Sequence, residues 1–149
     1  MKNKVCFILI GFMILAMAML SACGKSEFNI DAGNEKCITI DAKNAAVDEV
    51  VVTGSLAVTD CDQVLLTSNL EKGVIQVELY KTADEQSMDE VPEIPDEDPV
   101  MTFNANDTDS MSGTVEPGSY LVKAIVSEKA TGTVKIEAIL ADCSNGGSK

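Results

Sequence analysis

The C-terminal third of the chain limits its possible folds more than any other stretch. Tyr120, Val122, Ala124 and Val126 occupy every second position, with Lys123 among the residues between them. Val134, Ile136, Ala138 and Leu140 repeat the pattern against Lys135 and Glu137. An apolar period of two puts one face of an extended strand into a core, whereas a helix would scatter these residues around its axis. Residues 73–81 alternate in the same way, Ile75, Val77 and Leu79 against Gln76, Glu78 and Tyr80. Shorter runs at 37–41, 48–53, 55–59, 63–68, 99–105 and 111–116 are divided by turn residues about every ten positions, a spacing typical of sandwiches and barrels. Eight or nine short strands without an internal repeat predict an all-β, antiparallel β-sandwich of jelly-roll type. Phe103 and Tyr120 fall on apolar faces and are expected in the core. Glu116-Pro117-Gly118-Ser119 carries Pro and Gly where a type II turn needs them, and Lys129-Ala130-Thr131-Gly132 is expected to close the last hairpin. At most one turn of helix is expected, over residues 42–49.

The N-terminus is of a different kind. Lys2 and Lys4 precede an apolar run over residues 5–20, VCFILIGFMILAMAML, and Leu20-Ser21-Ala22-Cys23 then leads into the polar Gly24-Lys25-Ser26-Glu27. The run is short for a membrane span and has the length and flanks of an export signal. Positive residues ahead of it would hold the N-terminus in the cytoplasm. Leu20-Ser21-Ala22-Cys23 resembles the lipobox of bacterial lipoproteins. That resemblance implies cleavage between Ala22 and Cys23, and a diacylglyceryl group on the Cys23 sulfur, with palmitate-like chains anchoring the protein to a membrane. Cys6 sits inside the discarded run as a small apolar filler. On this reading residues 1–22 are a signal peptide, 23–36 a lipidated tether, 37–142 the β-sandwich with an acidic loop at 82–99, and 143–149 a flexible tail. The stretch GTVEPGSYLVKAIVSEKATGTVKIEAIL resembles the closing hairpin of bacterial prepeptidase C-terminal-type domains, where it ends a small jelly roll. The chain also resembles small lipobox-bearing surface proteins of Gram-positive gut-type bacteria. Neither resemblance carries over a catalytic residue.

Composition narrows the chemistry. All 24 carboxylates lie beyond Cys23 and face nine lysines there, a balance near −15 without a single arginine. Such a surface repels phosphate backbones, so no nucleic-acid partner is expected. There is no histidine, which removes the usual neutral-pH base and the commonest metal ligand. Without Arg or Trp, bidentate phosphate clamps and indole platforms are lacking too.

Residues 82–99, TADEQSMDEVPEIPDEDP, hold eight carboxylates and three prolines and read as a solvated loop. Asp96 and Asp98, with Glu97 between them and Asp107 and Asp109 beyond, are the candidates for a calcium site, since carboxylate oxygens suit a hard cation. Their spacing matches no EF-hand. Cys37, Cys61 and Cys143 are an odd set of thiols besides Cys23. Because Cys37 opens the first expected strand and Cys143 follows the last, those two are the candidates for a disulfide, the alternative being buried or idle thiols. Zinc is disfavoured, with no histidine and no C-x-x-C.

Together these features predict a membrane-anchored, extracytoplasmic lipoprotein at the cell surface. Its sandwich would be a non-catalytic interaction or accessory module for a protein partner, without a cofactor. The alternative is a calcium-dependent or ligand-binding module serving an exported enzyme or transporter. A hydrolase built on paired carboxylates is the least favoured.

Overall fold

The computed structural model describes residues 25–82 and 93–141. They form six antiparallel strands: β1 (Glu27–Asn34), β2 (Cys37–Ala45), β3 (Val50–Val58), β4 (Asp62–Thr82), β5 (Met101–Gly113) and β6 (Gly118–Leu140). The sheet runs β1-β2-β6-β4-β5, with β3 on β6 as well. The all-β antiparallel sandwich is therefore present, but it is built from fewer and longer strands than the eight or nine expected.

The two longest strands explain the difference. Residues 63–68 and 73–81 are parts of one 21-residue strand, β4, and the two alternating runs of the C-terminal third are parts of the 23-residue β6. The first half of β4 pairs with the second half of β6, from Asp62↔Leu140 to Leu70↔Gly132, and the second half of β4 with the first half of β6, from Val74↔Glu128 to Thr82↔Ser119. Register breaks fall between these halves, at residues 70–75 of β4. Lys129-Ala130-Thr131-Gly132 thus closes no hairpin; it is the bend inside β6. β2 and β1 extend the layer holding the second half of β6, from Ala42↔Gly132 to Cys37↔Glu137, while β3 extends the layer holding the first half. β5 follows β4 around the bend, with its own break near Asp107.

Two glycines make the bend possible. Gly73 has φ +89° and Gly132 φ +133°, values that L side chains rarely adopt. A Cβ on Gly73 would sit 2.4 Å from the Lys129 carbonyl oxygen, and one on Gly132 would sit 2.4 Å from that of Asn69. Each strand therefore lays bare backbone against the other where both turn over.

The bend folds the apolar faces onto each other. Ile38, Ile40, Leu66 and Ile136 of one layer, and Leu56, Ile75, Leu79 and Val122 of the other, are fully buried in one cluster. Phe103 and Tyr120 join it as expected. Burying each such side chain is worth about 1.5–3 kcal/mol. Leu140, expected on the buried face, is instead 79% exposed at the end of β6. Ser68 is the polar member of this face, its hydroxyl donating to the Asp107 carbonyl at 2.8 Å where β5 breaks.

Opposite the bend, short connections join the layers. Asp62 follows β3 by a tight turn, with its N–H donating to the Thr59 carbonyl. Glu116-Pro117-Gly118-Ser119 links β5 to β6, strands that do not pair with each other. There the Tyr120 hydroxyl donates to the carbonyl of Glu116, the bond of a tyrosine corner.

Two further expectations are corrected. Residues 27–34 are not a tether but strand β1, with Phe28, Ile30 and Ala32 half-buried on alternate positions and paired from Glu27↔Lys43 to Asn34↔Cys37. Residues 42–49 form no helical turn: β2 runs on to Ala45, and a turn closed by Glu49 N–H to the Ala46 carbonyl at 3.2 Å follows.

Substituting Gly132 by Ala should destabilise the fold by about 1–3 kcal/mol or more, since φ strain and a backbone clash coincide. Gly33→Ala, whose Cβ would meet only the Cys37 carbonyl at 3.7 Å, should be near neutral. Urea unfolding of the two variants checks this.

Candidate functional site

Three groupings of polar side chains stand out, one on the outer face of the β3 layer and one at each end of the sandwich. The first starts from the alternation of β4. Gln76, Glu78 and Tyr80 are two residues apart and share a face, and the register sets Lys123 of β6 directly across from Glu78. The Gln76 amide donates to Glu78 Oε1 at 2.7 Å, and the Tyr80 hydroxyl donates to Oε2 at 2.7 Å. Lys123 Nζ lies 3.0 Å from the same Oε2 and 5.9 Å from the centre of the Tyr80 ring. Glu78 and Tyr80 are both buried.

Burial alone would raise the Glu78 pKa, but the hydrogen bonds from Tyr80, Lys123 and Gln76 outweigh it and hold the carboxyl below its ordinary range. Burial, reinforced by Glu78, pushes the Tyr80 phenol up. The hydrogen bond to Glu78 pushes Lys123 up against the opposing effect of burial. The three groups are thus fixed as carboxylate, phenol and ammonium. None is poised to exchange a proton near neutrality, which general acid–base work requires. The cluster is a fixed charge network.

The second grouping ties three chain segments together at the end opposite the bend, the clasp end. Asp62 Oδ2 accepts from Lys36 Nζ at 2.7 Å, from the Thr59 N–H at 2.8 Å and from the Thr59 hydroxyl at 2.6 Å. Lys36 stands in the turn between β1 and β2, and its carbonyl accepts from the N–H of Ala138 on β6. The Lys36 hydrogen bond, then those from Thr59, lower the Asp62 pKa to about 2. Asp62 Oδ1 is shielded from solvent and has no partner.

The third is a shallow concavity of about 350 Å³ beside the bend, lined by Glu27, Asn29, Asp41, Lys43, Thr131 and Thr133 among others. It lies where β2 bulges between Ala42 and Ala45 and β6 turns at Gly132. Its charged groups are of both signs.

The candidate calcium ligands are not brought together. Asp96 and Asp98 lie in the connection ahead of β5, whereas Asp107 and Asp109 lie within β5. Asp107 comes six residues after Met101 on extended chain, about 20 Å further along the strand. Asp109 Oδ1 is taken by the Ser110 N–H at 2.7 Å. Among the described residues no three or more His, Cys, Asp or Glu side chains gather to hold a metal.

The candidate Cys37–Cys143 disulfide is also corrected. Cys37 is a free thiol on the outer face of β2, while Cys61 is disulfide-bonded. Cys61 occupies the turn before β4, and its carbonyl accepts from Ala141 N–H at 2.7 Å. That contact brings the chain just before Cys143 up to Cys61, whereas Cys37 belongs to the β1–β2 hairpin. Cys23, Ala22 and Cys143 themselves lie outside the described residues.

No family model, no curated protein and no solved structure matches the chain.

Two outcomes are expected. Non-reducing peptide mapping should recover Cys61 joined to Cys143 and Cys37 as an alkylatable thiol; a Cys37-containing bridge would overturn this. Asp62 has a folded pKa below its unfolded one, so its contribution to stability is present above about pH 4 and lost as pH falls toward about 2. Asp62→Asn should lower the melting temperature at neutral pH and narrow its gap to wild type over that acid range, as read by calorimetry.

Proposed function

We propose that this chain is an exported lipoprotein, anchored through acylated Cys23, whose β-sandwich is a non-catalytic interaction or accessory module. The observation that carries the reading is the sequence Leu20-Ser21-Ala22-Cys23 at the end of a signal-like apolar run. The disulfide at Cys61 supports it, because such bonds persist in compartments outside the reducing cytosol. The sheet of described residues begins with β1 at Glu27, four positions after Cys23. The non-catalytic part rests on the composition, which lacks histidine altogether. A rigid sandwich then offers partners its faces and loops.

Metabolic labelling with a fatty acid tests the anchor. The wild-type chain should take up label and lose residues 1–22, while Cys23→Ala should remain unlabelled and uncleaved. Undiminished label in Cys23→Ala would sink the assignment. Crosslinking in detergent-solubilised membranes addresses the module: one partner in stoichiometric yield is expected, and recovery of nothing above background argues against it.

A further inference from the structure

The three polar groupings differ in how far their side chains are committed to one another. Around Glu78 and Asp62 the charged groups are paired within the fold. In the concavity beside the bend they are not. Glu27, Asn29, Asp41, Lys43 and Thr133 line it and are exposed. None of these five side chains makes a hydrogen bond or ion pair among the described residues. Thr131 makes one, accepting at Oγ1 from the Asn44 N–H at 3.1 Å. Its own hydroxyl proton is left to donate outward.

The registers arrange these six side chains in two rows across three strands. Glu27 pairs with Lys43, and Asn29 with Asp41. Asp41 pairs in turn with Thr133, and Thr131 falls at the β2 bulge, between the Ala42↔Gly132 and Ala45↔Ala130 pairs. Neighbouring strands are about 4.8 Å apart and alternate residues about 6.7 Å, so the array measures about 10 Å by 7 Å. With the hollow of about 350 Å³ above it, that is room for one small molecule. Lys43 stands opposite Glu27 and two residues from Asp41, yet it is in an ion pair with neither. A ligand lying among the three gains charge-assisted hydrogen bonds to each.

The side chains present define that ligand. Two carboxylates call for ammonium groups, and the Lys43 ammonium, with the Thr131 hydroxyl beside it, calls for a carboxylate. A phosphate or a simple dicarboxylate would meet two like charges, and a bare diamine would leave Lys43 opposed to it. A sugar ring would find no aromatic side chain to stack on, since none lines the hollow. A zwitterion with one extra ammonium matches every group.

We infer that this hollow on the outer face of β1, β2 and β6 binds a basic α-amino acid, its carboxylate on Lys43 and Thr131 and its two ammonium groups on Asp41 and Glu27. Such a ligand adds to the partner-facing role proposed above and needs no lipid on Cys23. Calorimetric titration of the full chain in detergent, with three probes of similar size, tests it. These are L-lysine, L-norleucine, which lacks the side-chain ammonium, and cadaverine, which lacks the carboxylate. L-Lysine should bind saturably, one per chain, in about the millimolar range that a few exposed, screened charge contacts give. The other two should bind several-fold more weakly. Lys43→Met should bring L-lysine down to the level of cadaverine and leave cadaverine unweakened, while Asp41→Asn should weaken both. These side chains are exposed, so the variants should melt with the wild type, as thermal unfolding checks. No saturable heat with L-lysine into the tens of millimolar overturns the site. Equal binding of L-lysine and cadaverine, or L-lysine binding unaltered in Lys43→Met, overturns the carboxylate contact and with it the ligand class. L-Lysine binding unaltered in both Asp41→Asn and Glu27→Gln puts the ligand elsewhere on the chain and overturns the assignment to this hollow.

Discussion

The contact on which the rest of the molecule depends is the bare-backbone crossing of β4 and β6. Gly73 meets Lys129 and Ala130, and Gly132 meets Asn69 and Leu70, at distances that no Cβ could occupy. Two long strands can therefore stay hydrogen-bonded while both turn over, and a single sheet becomes two layers. The core and the closeness of the clasp segments both follow from that crossing. The break in β5 near Asp107 and the bulge in β2 lie at the same level, so the neighbouring strands follow the central pair around.

Much of the fold was legible in the alternation of single strands, because burial of one face leaves a period of two in the sequence itself. Ile75, Val77 and Leu79, and later Val122, Ala124 and Val126, occupy the core that the pattern assigned them. The count of strands was not legible. A glycine within an alternating run marks either a turn or a close backbone approach, and only the partner strand decides which. The same ambiguity hid β1: Phe28, Ile30 and Ala32 do alternate, but carboxylate and amide residues lie between them and Gly33 and Asn34 follow, so the stretch reads as polar linker.

The polar clusters divide along the same line. That Gln76, Glu78 and Tyr80 share a face could be read from spacing, yet Lys123 comes 45 residues after Glu78 and meets it only through the β4–β6 register. Lys123, placed between the apolar residues of β6, closes the network around Glu78. Asp62 and Lys36 are likewise joined only by the stacking of two turns. The positions of the three thiols along the chain pointed to Cys37 with Cys143, but spacing does not determine connectivity. The turn geometry at Cys61 supplies what the spacing lacked.

The N-terminal strand also sets how far this protein can stray. With residues 27–34 zipped into the sheet, a lipid on Cys23 would be joined to it by only three residues, a leash too short for the domain to swing far outward or search its surroundings. A partner embedded in the bilayer or resting on it could be met at once, whereas one held deeper in the envelope would have to make the approach itself.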